Sequence, residues 1–227
     1  MIDTIAFDGD DTLWHNESLF SMTQDRFRAL LAHAADPAEI DTRLLAAERR
    51  NLGVYGYGIK GFVLSMIETA VEVTDGRIAA TDIRSLIDFG KAMLQHPVDL
   101  LDGVAETVES LSGHYRLLLV TKGDLFDQES KIARSGLAER FDAVEIVSEK
   151  DPDTYRRILG RHGVEPGRFV MVGNSVRSDI LPVLAAGGHA VHVPYHVTWA
   201  HEVADPPAKG YRRIESVREL EGILTEL

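Results

Sequence analysis

Five short apolar runs constrain this chain more than any other feature: residues 2–7, 116–121, 143–147, 169–172 and 190–193. Their hydrophobic residues are mostly consecutive rather than alternating. A strand wetted on one face alternates apolar and polar side chains, whereas a strand covered by helices on both faces does not. Helical patterns over 124–135, 151–161 and 175–186 separate the last four runs. They begin at Asp124, Asp151 and Ser175, which are helix-capping residue types. They stop at Gly136, Gly163 and the Gly187-Gly188 pair. Strand and helix in this alternation predict an α/β fold, a doubly wound, Rossmann-like parallel sheet.

The rhythm breaks after the first run. Residues 8–115 carry almost no strand signal, and segments 17–34, 37–51, 59–74, 81–95 and 103–111 show helical periodicity instead. The last of these leads into the second strand. The first four read as an inserted all-helical domain over residues 15–96, with Pro97 as the return hinge. The α/β core domain is then 1–14 together with 97–227. Inside the insert, residues 51–61 form a glycine-rich loop that holds Tyr55, Tyr57 and Lys60. Glycines let a backbone approach a ligand closely, and a tight turn between helices needs them equally. Residues 215–227 read as a terminal helix.

Composition narrows the chemistry. The absence of cysteine excludes disulfides, thiolate zinc sites and a cysteine nucleophile. A formal net charge of -12 repels nucleic-acid backbones and anionic membranes. The densest basic cluster, Arg156, Arg157 and Arg161, reads as a solvated helix face. No apolar run approaches the roughly 20 residues that cross a bilayer. Residues 2–7 read as a core strand rather than part of a signal peptide. The expectation is a cytoplasmic protein with no nucleic-acid and no membrane partner.

Asp8-Gly9-Asp10-Asp11-Thr12 directly follows the first apolar run. Ligands of an open parallel sheet bind beyond the carboxyl ends of its strands. Carboxylates this close repel one another, and a divalent cation relieves the repulsion. Oxygen donors alone favour Mg2+ over zinc or copper. The ends of the other strands present Thr121 and Lys122, then Lys150, then Gly173-Asn174-Ser175 with Asp179 one helical turn on. Asp11 reads as a capping or solvent residue rather than a catalyst. Trp14 and His15 read as pocket entrance or packing, and Tyr195, His196, Trp199 and His201 as packing or pocket wall.

This series of motifs resembles the haloacid dehalogenase superfamily along nearly the whole chain. Asp8-x-Asp10-x-Thr12 resembles its first motif, Thr121 its second, Lys150 its third, and Gly173-Asn174-Ser175 through Asp179 its fourth. The helical insert stands where the family places its cap. The resemblance implies a phosphatase that hydrolyses a small-molecule phosphomonoester. Asp8 would be the nucleophile and Asp10 the general acid and base, with neighbouring carboxylates helping Asp10 to keep its first proton. Asp8, the Asp10 carbonyl, and Asp179 or Asn174 would hold Mg2+. Thr121 and the Lys122 amide would bind phosphate, Lys150 would counter its charge, and Tyr55, Tyr57 and Lys60 would reach the leaving group. The family usually has aspartate where this chain has Asn174, which leaves the site one negative charge short. The same fold also serves 2-haloacid dehalogenases, which lack the second aspartate of the first motif. It serves phosphomutases too, and a non-catalytic phosphate-binding protein is the remaining alternative. Physiological substrate and oligomeric state are not written in these motifs.

Overall fold

A computed structural model describes every residue, Met1–Leu227. The chain forms two compact units. One comprises Met1–Glu17, Val98–Lys122 and Gln128–Leu227; the other comprises Ser18–Pro97 and Gly123–Asp127.

The helical unit is built on α1 (Glu17–Leu31), α2 (Pro37–Tyr55), α3 (Ile59–Val73) and α4 (Ala80–Gln95). Its core gathers Phe27 and Leu31, Ile40 and Leu44, Phe62, Met66 and Ala70, and Leu86 and Met93. Spacings of four, four, four and seven residues put each set on one helical stripe. The Asp36 carboxylate accepts the amides of Ala38 and Glu39 and caps α2, with Pro37 in the first turn. The glycine-rich loop expected over 51–61 is far shorter. Residues 51–55 continue α2, and only Gly56-Tyr57-Gly58 lie between it and α3. Gly56 at φ 71 and Gly58 at φ 115 supply the reversal that a side chain would resist.

The other unit holds β1 (Thr4–Phe7), β2 (Arg116–Lys122), β3 (Ala143–Val147), β4 (Phe169–Gly173), β5 (His189–His192) and β6 (Arg212–Arg213). They form one parallel sheet in the order β3-β2-β1-β4-β5-β6. Strand order reverses around β1, so its carboxyl end lies at the switch point where such sheets bind ligands. Alternate residues of each strand feed two cores. Ile5, Phe7, Leu117, Leu119, Val170 and Val172 pack with α5 (Val104–Leu111), Ile132 of α6 (Leu125–Arg134) and the carboxyl-terminal Leu220 and Leu224. Ala6, Leu118, Val120, Phe169 and Met171 pack with Tyr155, Ile158 and Leu159 of α7 (Pro152–His162) and with Val183 of α8 (Leu181–Ala185). Burial on both faces is why the strands are apolar at successive positions. On α7 the three basic residues are paired: Arg156 with Asp153, Arg157 with the Thr154 hydroxyl, and Arg161 with Glu145. The terminal helix is shorter than expected, with α9 spanning Leu220–Leu224. No helix is long and apolar enough to cross a membrane.

The helix expected over 175–186 is two pieces. One turn of π-helix, Val176–Ile180, runs into α8. Pro182 has no amide to give the carbonyl four residues back, at Ser178. That carbonyl accepts the Tyr155 hydroxyl instead, at 3.0 Å. The sixth strand was also unexpected, because its two residues are exposed arginines with no apolar signal. The long segment between β5 and β6 is fastened by Glu202. Its carboxylate accepts from Lys122 Nζ at 2.6 Å, Ser175 Oγ at 2.7 Å and Ser178 Oγ at 2.6 Å. Burial opposes the charge, but Lys122 and the two hydroxyls outweigh it and take Glu202 from 4.5 down to about 2.

Two stability predictions follow from these packing details. A Cβ at Gly173 would lie 2.3 Å from Asp179 Cγ, and Asp179 is fully buried. Gly173→Ala should lower the unfolding free energy by about 3 kcal/mol, read from urea titration; an unchanged midpoint would refute the close approach. Glu202 contributes stability that is complete above pH 4.5 and fades as the pH falls towards 2. Glu202→Gln should therefore cost roughly 2 kcal/mol at neutral pH. Its deficit against wild type should shrink in urea titrations repeated below pH 4.5, and a deficit independent of pH would count against the ionised latch.

Candidate functional site

The site starts where β1 ends. The Asp8 amide still pairs with the Val172 carbonyl, at 2.9 Å, and the chain then turns sharply. The Gly9 carbonyl accepts the amides of Thr12 and Leu13, at 3.3 and 2.8 Å. Asp11 takes φ 62, a left-handed conformation that aspartate tolerates better than most residues. The indole of Trp14 folds back over Gly9, where a Cβ would stand 2.7 Å from the ring. The Asp11 carboxylate accepts the amides of Asn16 and Glu17, each at 2.9 Å, and so caps α1. Burial nonetheless pushes its carboxyl up to about 7.

Lys150 follows β3, and Asp179 lies in the π-turn after β4. The Lys150 ammonium stands 2.5 Å from Asp8 Oδ1 and 2.7 Å from Asp179 Oδ1, with the lysine side chain only 1% exposed. The other Asp179 oxygen accepts the Ser175 amide at 3.0 Å. Thr12 joins the strand ends of β1 and β4. Its hydroxyl accepts the Asn174 amide at 3.0 Å and donates to Asp8 Oδ2 at 3.1 Å. His192 donates to the Asn174 carbonyl at 3.0 Å. Two buried carboxylates thus share one ammonium, leaving negative charge in surplus. Burial and the Asp179 charge push Asp8 up to about 7, against the pull of Lys150. Burial works against the Lys150 charge as well, but Asp179 and Asp8 overcome it and keep the lysine protonated.

This surplus bears on metal binding. No group of three or more His, Cys, Asp or Glu side chains is placed to hold a metal ion by itself. The donors the structure brings to this edge are the Asp8 and Asp179 carboxylates and the Asn174 side-chain oxygen, which lies 3.4 Å from Thr12 Oγ1. Oxygen donors with one unmatched negative charge suit a hard divalent cation that takes its other ligands from water and phosphate. They offer nothing to a soft metal.

Asp10 overturns one expectation. Neighbouring carboxylates were to help it keep a proton, but its closest charged neighbour in space is Lys131. The Lys131 ammonium lies 2.9 and 3.0 Å from the two Asp10 oxygens. Gln128 Nε2 donates at 2.9 Å and Trp14 Nε1 at 2.6 Å. Burial disfavours the charge, but Lys131, with the hydrogen bonds from Gln128 and Trp14, outweighs it and holds Asp10 below the usual carboxylate range. Sequence reasoning missed Lys131, Gln128 and Glu202. For the first two the one signal is helical spacing: Gln128 and Lys131 are three apart on α6, on one face, beside the apolar Ile132.

The remaining candidates divide between the units. Thr121 Oγ1 lies against the Gly9 backbone, 3.4 Å from where a Cβ would be. The Lys122 side chain reaches Glu202 and Ser178 Oγ, at 2.6 and 2.8 Å. Tyr55, Tyr57 and Lys60 belong to the helical unit. There Lys60 Nζ binds both oxygens of Asp124, at 2.9 and 3.0 Å, and lies 5.6 Å from the centre of the Phe126 ring. His15 Nδ1 is 2.7 Å from the Tyr195 hydroxyl, so these two serve each other.

Comparison with known proteins extends the geometry. The chain is similar to N-acylneuraminate-9-phosphatase of Mus musculus, 33% identical over 130 residues, which are 53% of this chain. The match spans about half, 51%, of the mouse protein's length. A crystal structure of a haloacid dehalogenase-like family hydrolase from Xanthomonas campestris superposes with TM-score 0.89 at 44% identity, over 99% of this chain and 91% of that one. A 2-haloacid dehalogenase from Pseudomonas syringae shares the fold, with TM-score 0.66 at 21% identity over 100% and 99% of the two chains. A model of the haloacid dehalogenase-like hydrolases matches residues 2–187, so the chain belongs to that hydrolase family.

Proposed function

We propose that this hydrolase is a Mg2+-dependent phosphatase of small phosphomonoesters that works through an aspartyl-phosphate on Asp8. The observation that carries the reading is the buried Asp8–Lys150–Asp179 cluster at the switch point of the sheet. A phosphatase among the relatives supports the same reaction class.

In the first step an Asp8 oxygen bonds to phosphorus as the ester oxygen leaves with a proton from Asp10. In the second, Asp10 takes a proton from water as that water attacks phosphorus, releasing phosphate and free Asp8. The Lys150 ammonium offsets the charge on Asp8 and on the phosphoryl oxygens. The Thr121 hydroxyl and the Lys122 amide donate to those oxygens. Asp8, the Asp10 carbonyl, Asn174 and Asp179 would hold Mg2+, whose positive charge would help offset that of the phosphoryl group. Lys131 keeps resting Asp10 ionised, so the first proton is taken up with the substrate. The charge of an incoming phosphate dianion raises the affinity of Asp10 for that proton.

Turnover of p-nitrophenyl phosphate tests the reading. Activity should require Mg2+ and vanish with a chelator. Asp8→Asn should abolish it, by more than about 10³-fold, while the circular-dichroism spectrum stays native. Asp10→Asn should lose about 10² to 10⁴-fold. Substantial turnover by Asp8→Asn would reject the nucleophile. Halide released from chloroacetate without metal would instead favour dehalogenation.

A further inference from the structure

We infer that Lys131, acting with Gln128, is a positioning residue that sets the direction of the Asp10 carboxylate; the inference rests on the proton-transfer role proposed for Asp10. Both Asp10 oxygens are engaged. Oδ1 receives Trp14 Nε1 and Lys131 Nζ, and Oδ2 receives Gln128 Nε2 and Lys131 Nζ. A carboxylate held on both oxygens by three side chains cannot rotate freely. Lys131 is itself fixed from a second direction by Asn16 Oδ1, at 3.0 Å. Gln128 also touches the expected phosphate-binding residues: its Nε2 lies 3.3 Å from the Lys122 carbonyl and its Oε1 3.4 Å from Thr121 Oγ1. One face of α6 thus touches the proton-transfer residue and both expected phosphate ligands.

A merely structural reading of Lys131 explains less. The residue is only 8% exposed and Gln128 2%. Burying an ammonium is costly, and a buried ion pair adds little stability over a well-packed apolar pair. An aliphatic residue would fill this position next to Ile132 without that cost. What an aliphatic residue cannot do is aim a carboxylate.

The test uses the full chain with p-nitrophenyl phosphate and saturating Mg2+, alongside ¹⁵N-resolved spectra of the indole N–H groups. Only two tryptophans are present, Trp14 and Trp199, so Trp199→Phe assigns both signals. Lys131→Met should lower kcat by about 10²-fold with KM changed less than about threefold, and Lys131→Arg should recover most of the loss. The Trp14 indole signal should move in Lys131→Met and stay near its wild-type position in Lys131→Arg. Lys131→Gln gives the same readouts if the methionine variant does not fold. A kcat within threefold of wild type, or a Trp14 signal that does not respond, would overturn the inference. Should the wild type hydrolyse no phosphomonoester, the phosphatase reading fails by itself. The indole signal would still decide whether Lys131 directs Asp10.

Discussion

A single ammonium group facing two carboxylates in a dry interior governs this molecule. Asp8, Lys150 and Asp179 come from the ends of three strands, and none is tolerable there alone. Removing one partner of a buried ionic cluster typically costs about 3–5 kcal/mol, because the other charges stay behind unpaired. The order of the strands and the chemistry at their ends are therefore one problem. Thr12 reinforces the point: one hydroxyl ties the turn after β1 to the turn after β4. The arrangement still carries more negative than positive charge, which disposes it towards a cation.

Much of the fold was legible because the sheet is apolar on both faces. Runs of consecutive hydrophobic residues mark β1 to β5, and glycine stops mark where helices end. β6 escaped notice because Arg212 and Arg213 pair through their backbones at an exposed edge, where side chains need not be apolar. The stretch over 51–61 misled for the opposite reason. Gly53 looks like a loop residue in the sequence, yet it sits within α2, where tertiary packing tolerates the roughly 1 kcal/mol that glycine costs a helix.

The site was legible in part. Asp8, Lys150 and Asp179 stand immediately past strand ends or one turn beyond, so topology alone brings them together. For Asp10, adjacency in sequence points to the wrong charged neighbours. Its real partners, Lys131 and Gln128, are more than a hundred residues away and reach it from the side of a helix. Nothing local in the sequence distinguishes a lysine that will be buried against a carboxylate from one that will be solvated. Glu202 was hidden in the same way, in a segment without periodicity that only tertiary structure places beside Ser175 and Ser178.

The π-turn after β4 has a corollary for chain length. A π-turn spends one residue more than an α-turn on the same advance, and single-turn bulges of this kind recur at functional sites. Here Pro182 makes the wider turn easy, and Tyr155 occupies the carbonyl that the proline leaves unserved. Deleting one residue between Gly173 and Pro182 would swing Asp179 by about 100° around the helix axis. The length of that segment is therefore as constrained as the identity of Asp179 within it.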